Sequence, residues 1–275
     1  MALVFASICP HPPLLIPEIG EEAIKEVEKT QKAMIKLASL FQRANPNIVI
    51  LISPHGPVFT DAMAIKSLSF YEGDFSTFGA PNVYLKFKGD ELISEMIGNW
   101  SNKNNIPTII LDEEKFSYGI DPRLDHGTLV PLYYLTSNGR FNDFALVPIS
   151  FSFLSLEDHF KFGKILSQSK ILQAQRVAII ASGDLSHSLT YDAPAGYNPL
   201  GKEFDKTLIN AIKEKNINKI LNLDGDFIED AAECGLRSII ILLGTLSQYR
   251  WDPEILSYEG PFGVGYLVAN FKLKF

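Results

Sequence analysis

Apolar residues occur along the chain in two patterns, short continuous runs and longer segments with helical spacing. The continuous runs are rich in β-branched residues and cover Leu3–Cys9, Ile48–Ser53, Phe144–Ser150 and Arg176–Ser182. Such runs are typical of strands that are buried on both faces of a sheet. Near the C-terminus, Glu254–Glu259 and Gly265–Phe271 flank a glycine-rich turn, which predicts a terminal hairpin.

Segments with an apolar residue every three or four positions predict helices between these strands. The longest runs from about Glu21 to Arg43, and its predicted apolar face consists of Ile24, Val27, Met34, Ile35, Ala38 and Phe41. Further helices are predicted at Asp90–Asn99, Thr128–Thr136, Leu156–Ile171, Pro199–Glu214 and Leu236–Leu246. The alternation of strands and helices predicts one α/β domain over residues 1–275, with a central mixed, mostly buried sheet flanked by helices.

Composition narrows the functional classes. The 275 residues include 25 basic and 32 acidic side chains, for a net charge of −7, and 46% are apolar. This balance is typical of a globular protein and argues against a nucleic-acid partner. The apolar runs are far shorter than the roughly 20 residues that span a bilayer, so we expect no membrane partner. Two cysteines make no disulfide framework and the N-terminus lacks a basic leader, so we expect a cytoplasmic protein.

Three of the five histidines follow predicted strands directly. Pro10 precedes His11, Pro54 precedes His55, and His187 follows a Ser-Gly-Asp-Leu-Ser turn. Strand ends converge at one edge of an open α/β sheet, so these imidazoles are expected to meet there. One Pro-His pair alone is more often a loop histidine, but two copies at equivalent strand ends favour a shared site. The prolines stiffen both loops, which suits metal ligands.

The other two histidines have weaker signals. His126 lies in an Asp-His-Gly sequence just before a helical pattern, where Asp125 or Thr128 is a candidate helix cap. His159 lies inside a helical segment, and we interpret it as a surface residue. Asp184 stands three residues before His187, so its carboxylate could orient that imidazole through the second ring nitrogen. The alternative for Asp184 is an ordinary turn residue.

Two metal-binding histidines usually need a third, anionic ligand. Two histidines and one carboxylate form the facial arrangement of non-haem iron(II) sites, which leaves positions open for substrate and oxygen. Glu233 is the best carboxylate by context, a lone acid among small residues before a buried helix, although Glu229 and Asp230 compete with it. The structural alternative for Glu233 is an acid favoured by the helix dipole. Cys234 is a softer ligand or a small buried residue.

Six motifs resemble those of LigB-type class III extradiol ring-cleavage dioxygenases, most closely the Memo-like branch that accompanies the AmmeMemoRadiSam system. The matching stretches are CPHPPLLIPEIG at Cys9–Gly20, SPHG at Ser53–Gly56, DHGTLVPL at Asp125–Leu132, SGDLSH at Ser182–His187, AECGLRS at Ala232–Ser238 and YEGPFGVGY at Tyr258–Tyr266. They occur in the expected order and span essentially the whole chain.

The resemblance implies a single LigB-type domain with a LigB/phosphorylase-like three-layer fold. It implies an Fe(II) ion held by His11, His55 and Glu233. By the same comparison, His187 resembles the acid/base histidine of the family and His126 resembles its second pocket histidine. The implied reaction is extradiol cleavage of a catechol-type aromatic ring, with a small aromatic diol and O₂ as substrates.

The resemblance also carries an alternative function. Memo-like relatives keep the fold and a His-rich cleft, so the alternative is a metal- or partner-binding protein that acts with a radical-SAM and AMMECR-type system without ring cleavage. In them an Asp-x-x-His pair and a cysteine contribute to the cleft, and this chain has Asp184, His187 and Cys234. A homodimer remains open under either interpretation, and zinc is an alternative metal because it accepts the same donor types.

Overall fold

The structure is a computed structural model that describes residues 2–169 and 173–274. The strands are β1 (Ala2–Cys9), β2 (Ile48–Ser53), β3 (Met63–Lys66), β4 (Phe70–Phe75), β5 (Ala80–Gly89), β6 (Thr108–Leu111), β7 (Ala145–Ser150), β8 (Arg176–Ser182), β9 (Arg250–Glu259) and β10 (Tyr266–Lys274). Short 3₁₀ helices cover Pro13–Leu15, Glu21–Val27 and Ser76–Phe78.

The α-helices lie mostly between the strands. They are α1 (Pro17–Gly20), α2 (Glu28–Ala44), α3 (Glu91–Lys103), α4 (Glu113–Phe116), α5 (His126–Leu135), α6 (Leu156–Gln168), α7 (Pro199–Lys213), α8 (Ile217–Leu221), α9 (Gly225–Ala231) and α10 (Leu236–Leu246). Over the described residues, none of these helices has the length and apolar character that a membrane span requires.

The described strands form one ten-stranded mixed sheet, in which eight strands follow the order β4-β5-β7-β2-β8-β1-β10-β9. The pairs β7–β2, β2–β8 and β8–β1 are parallel, whereas β10 runs antiparallel to both β1 and β9. Strand β3 pairs with β7 and β6 beside this path. Because β8 lies between β1 and β2, the loops that leave these three strands emerge side by side.

Two hydrophobic cores cover the two faces of the sheet. In β2, Ile48, Ile50 and Ile52 join one core, while Val49 and Leu51 join the other. This alternation explains why Ile48–Ile52 contains no polar residue, since a side chain on either face is buried. Helices α3, α6, α7 and α10 contribute to the first core, and α2 and α5 contribute to the second. The result is a three-layer α/β fold.

The predicted fold class is confirmed, and several predicted bounds agree with the structure. Strands β2 and β8 and helix α10 have the predicted bounds, and β9 and β10 form the predicted hairpin. The long N-terminal helix divides into a 3₁₀ segment, Glu21–Val27, and α2. Ile35 was expected on its apolar face but is 55% exposed. The predicted end of the α6 segment at Ile171 lies outside the described residues.

His159 is a buried structural residue, so its assignment to the surface was wrong. The side chain has no exposed area, its Nδ1 lies 2.7 Å from the Ser155 carbonyl oxygen, and its Nε2 accepts the Ser152 N–H at 3.3 Å. The ring thus satisfies two backbone groups at the start of α6. Burial lowers its pKa to about 4, against 6.5 for a free histidine.

The lowered pKa of His159 predicts that the folded protein loses stability in acid as this side chain is protonated. Because the folded pKa lies below the unfolded pKa, the contribution of His159 is complete above pH 6.5 and falls as the pH drops toward 4. Full protonation corresponds to a loss of about 3 kcal/mol. At pH 7, His159→Asn should be less stable than the wild type by about 1–3 kcal/mol, because the buried Ser152 N–H loses its partner.

The measurement is urea unfolding of both proteins at pH 7 and near pH 4.5. The stability gap between them should narrow by about 2 kcal/mol at the lower pH. A gap that stays constant over this interval would contradict the assignment.

Candidate metal centre

Imidazoles from three separate chain segments meet at the carboxyl edge of the parallel strands. Among the described residues, His11, His55 and His126 form a group whose ligand nitrogens all lie within 4.8 Å of one another. His11 follows β1, His55 follows β2, and His126 begins α5. Their ring centroids are 4.8 Å apart for His11–His55, 5.5 Å for His11–His126 and 4.1 Å for His55–His126. The sequence prediction that His11 and His55 converge agrees with this geometry.

Buried serines at the ends of β2 and β8 bind the residues of this cluster. His11 Nδ1 lies 2.9 Å from the hydroxyl of Ser182, the last residue of β8. Ser53, the last residue of β2, accepts the His55 backbone N–H at 3.2 Å and donates to Asp125 Oδ1 at 2.5 Å. The two strand ends are thereby tied to the loops that carry the histidines.

Asp125 caps α5 and so fixes the position of His126. Its carboxylate accepts the Thr128 N–H at 3.1 Å and the Thr128 hydroxyl at 3.1 Å, which confirms the predicted cap. Gly127 is required by close packing, because an added Cβ would lie 2.5 Å from Ser53 Oγ and 3.2 Å from the His55 ring.

The facing nitrogens suit a cation. His11 Nε2 and His55 Nε2 are 3.0 Å apart, a contact that is stable only when a proton or a cation is shared between them. This spacing is close to that of two nitrogens bound at a right angle to one ion at about 2.1 Å. Burial lowers the pKa of His11 well below its usual value and also lowers the pKa of His55. Neutral imidazoles retain the lone pair that a metal needs, so the donor set fits a divalent ion.

Two further candidate ligands lie beside His11. Cys234 Sγ is 3.6 Å from His11 Nε2, and Asp184 Oδ2 is 3.8 Å from the same nitrogen. Asp184 also accepts the His11 backbone N–H at 2.9 Å, and burial raises its pKa to about 7. Gly183 and Gly235 allow this approach, because a Cβ on Gly183 would lie 2.1 Å from Gly235 Cα.

Glu233 contacts the first turn of α10. Its carboxylate accepts the Leu236 N–H at 2.5 Å, at the start of α10, and lies 4.0 Å from the Arg237 guanidinium. The side chain is 3% exposed, and burial raises its pKa to about 7. The structural alternative, an acid at a helix N-terminus, describes this arrangement. Glu229 and Asp230, the two alternative carboxylate ligands, lie on α9, where Asp230 accepts a hydrogen bond from Asn198.

His187 stands on the loop after β8, but Asp184 does not orient it. The His187 Nδ1 is 3.0 Å from the Leu185 carbonyl oxygen, so the backbone holds the ring. The proposed Asp184–His187 pair is therefore wrong, because the Asp184 carboxylate turns toward His11 instead. Burial lowers the pKa of His187, and the nearby carbonyls of Leu185 and Ala232 oppose this effect.

A cavity of about 410 Å³ opens beside His55 and His126. Phe78, from the turn between β4 and β5, lines it and lies with its ring 5.3 Å from that of His126. Lys66 lines the cavity from β3 although it is only 3% exposed. A volume of this size accommodates a small ligand, and an aromatic wall beside polar groups is typical of such sites.

Lys66 holds the loop before His126. Its ammonium donates to the Arg123 carbonyl at 2.6 Å and to the Pro122 carbonyl at 3.2 Å. Burial lowers its pKa, while Asp125 and Asp121 oppose that shift. Arg123 donates to Asp121 at 2.8 Å, in an ion pair at the surface.

Sequence reasoning missed four residues that shape this site. Ser53 and Ser182 belong to the SPHG and SGDLSH motifs, so their positions before the histidines were a usable signal. Lys66 ends a four-residue strand, which is too short to give a clear pattern. Nothing in the sequence around Phe78 indicates that a hairpin turn would bring its ring to His126.

The chain is similar to known proteins over nearly its full length. It is 37% identical to Protein CA_C1420 of Clostridium acetobutylicum over 266 residues, which cover 96% of this chain and 56% of that protein. The chain thus spans little more than half the length of this relative. A 2-aminophenol 1,6-dioxygenase beta subunit of Pseudomonas sp is 21% identical, with 98% of this chain and 94% of that protein covered.

A solved structure and a family model complete the comparison. The crystal structure of the uncharacterized protein JW3007 from Escherichia coli K12 matches with a TM-score of 0.63 at 15% identity, covering 98% of this chain and 99% of that one. This likeness concerns the fold. The family model described as the catalytic LigB subunit of aromatic ring-opening dioxygenase matches residues 5–269. The chain therefore belongs to the LigB family.

Proposed function

We propose that this protein is a non-haem Fe(II)-dependent extradiol dioxygenase that opens a catechol-type aromatic ring with O₂. The observation that carries the proposal is the group of three histidines with ligand nitrogens within 4.8 Å of one another, beside a cavity large enough for one aromatic ring. Membership of the LigB family, whose model is described as the catalytic subunit of aromatic ring-opening dioxygenase, supports this class of reaction. The proposal treats residues 1–275 as one LigB-type domain.

In this proposal, His11 and His55 bind the metal and Glu233 or Cys234 completes the ligand set. Bound iron(II) would hold a catechol and O₂ side by side, so that the electron-rich catechol could reduce the oxygen. Oε2 of Glu233 accepts the Leu236 N–H, which leaves Oε1 as the candidate ligand atom, and Cys234 Sγ lies 3.6 Å from His11 Nε2. The same donor types suit zinc, which we expect in protein prepared without iron.

His187 is proposed to move the substrate proton. Its Nδ1–H is held by the Leu185 carbonyl, so Nε2 is the nitrogen that can exchange a proton with a catechol hydroxyl. The lowered pKa keeps the resting ring neutral and able to accept that proton. The carbonyls of Leu185 and Ala232 then stabilise the positive charge of the imidazolium.

The cavity is proposed to bind the aromatic ring. Phe78 provides an apolar surface at the opening, and aromatic rings pack well against such a surface. His126 is placed to hydrogen-bond a substrate oxygen. Lys66 keeps this histidine in place through the two carbonyls that it holds.

One observation favours the second candidate function. The Cys234 thiol and the Asp184 carboxylate, two residue types of a Memo-like cleft, both lie within 4 Å of His11 Nε2. In that case the protein would bind a metal or a partner of the radical-SAM and AMMECR-type system without cleaving a ring. A homodimer or a second subunit is compatible with either function.

The activity test is anaerobic reconstitution with Fe(II), followed by a panel of catechols and 2-aminophenol in the presence of O₂. We expect O₂ uptake coupled to a coloured ring-opened product. His187→Gln should bind iron like the wild type but lose about 100-fold or more in turnover, because general acid–base catalysis contributes about that much. Bound iron with no turnover across the panel would favour the Memo-like function.

Metal binding should depend on the two facing histidines. His11→Ala and His55→Ala should each lose most bound metal, measured by elemental analysis after dialysis against Fe(II), because either change removes a ligand. His159→Asn is the matched control, since it removes a buried imidazole outside the site. Full metal content in either site variant, with the circular dichroism spectrum of the wild type, would contradict the assignment.

The third ligand can be identified by paired variants. Glu233→Gln should weaken iron binding if the carboxylate moves to the metal, and Cys234→Ala should weaken it if the thiol binds. Co(II) absorption separates the two cases, because a thiolate ligand adds an intense charge-transfer band in the near ultraviolet. Loss of that band in Cys234→Ala alone would establish the thiol, and its absence from the wild type would support the carboxylate.

A further inference from the structure

The hydroxyl of Ser182 lies between two groups of the candidate site. Its oxygen is 2.9 Å from His11 Nδ1 and donates to the Gly127 carbonyl oxygen at 2.5 Å. Ser182 and His11 are both buried, at 0% and 2% exposure, so no solvent competes for these bonds. One side chain at the end of β8 therefore contacts the loop after β1 and the first turn of α5.

The chemistry of these three groups fixes the positions of the protons. A carbonyl oxygen can only accept, so the single hydroxyl proton of Ser182 is committed to Gly127. The serine oxygen is then left with lone pairs toward the ring, and His11 Nδ1 must donate its proton to them. His11 consequently carries its proton on Nδ1 and has a bare Nε2.

The bare nitrogen is the one that faces the rest of the site. His11 Nε2 points toward His55 Nε2 at 3.0 Å and Cys234 Sγ at 3.6 Å. In the other tautomer Nε2 would carry a hydrogen, and a protonated nitrogen cannot bind a metal. Whether His11 has the tautomer that can bind a metal thus depends on the group that accepts the hydrogen bond from its Nδ1.

We propose that Ser182 is a positioning residue that selects the metal-binding tautomer of His11 and links this ligand to the α5 turn that carries His126. The inference rests on the proposed metal site but not on the identity of the reaction. Partners on the distal nitrogen of a metal-binding histidine typically change metal affinity by 10–100-fold. Ser182 differs from a carboxylate partner because its hydroxyl is neutral. It accepts a hydrogen bond from His11 Nδ1 and donates one to the Gly127 carbonyl.

The first test uses the wild-type protein without metal. Nitrogen-15 spectra of the histidine rings report which nitrogen carries the proton, and His11→Gln identifies the signals of His11. We expect the Nδ1–H tautomer at pH 7.5. The Nε2–H tautomer would overturn the inference whether or not any variant folds.

The second test compares matched serine variants by Co(II) titration. Ser182→Ala should bind Co(II) about 10–100-fold more weakly and show a mixture of His11 tautomers. Ser182→Thr keeps the hydroxyl and should retain the Co(II) affinity and the single His11 tautomer of the wild type. Ser101→Ala is the control, because it removes another fully buried hydroxyl that donates to the Ile97 carbonyl at 2.8 Å in α3, outside the site.

The outcomes separate this inference from the proposed function. If Ser182→Ala matches Ser101→Ala in both affinity and tautomer, Ser182 has only a packing role and the inference is wrong. If the wild type fails to bind any divalent metal, the proposed function fails while the tautomer measurement still decides the state of His11. If the wild type binds metal but cleaves no ring, the proposed dioxygenase activity is wrong and the inference about Ser182 is unaffected.

Discussion

The candidate site depends on the adjacency of three parallel strand ends. Strands β1, β8 and β2 are hydrogen-bonded neighbours, and their registers bring Cys9 opposite Ser182 and Ile52 opposite Ala181. Loops that begin at the same level of the sheet cannot diverge far within two residues, so His11 and His55 meet. Each leaves its strand through a proline, which restricts the backbone and lowers the entropy lost when the rings are ordered.

Burial of these imidazoles sets their charge state. His11, His55, His126 and His187 all have lowered pKa values with burial as the main cause, and the pKa of His126 falls to about 4. Neutral rings avoid the repulsion that a cluster of imidazolium ions would suffer. Their ring nitrogens still need partners in a buried site, and Ser182 at the end of β8 supplies one for His11. Clusters of shifted histidines beside a cavity are typical of functional sites.

The structure also shows why two acidic side chains with similar sequence signals take different places. Asp184 follows β8 directly and accepts the backbone N–H of His11, which brings it beside the cluster. Glu233 precedes α10, where the Leu236 N–H and Arg237 stabilise its carboxylate. A negative charge at this position is favoured by the N-terminus of the helix.

The sequence by itself determined the fold class, most of the central strands and the convergence of two histidines, because apolar runs and strand-end positions are local signals. The tertiary structure alone decided that Phe78 and Lys66 line the cavity and that Ser182 contacts both His11 and Gly127. It also decided that His159 is buried, because the helical pattern around this residue does not show which way the imidazole faces. In the structure the ring faces the backbone groups of Ser152 and Ser155. These features depend on contacts between segments far apart in the chain or on the direction of one side chain, and neither residue spacing nor composition encodes them.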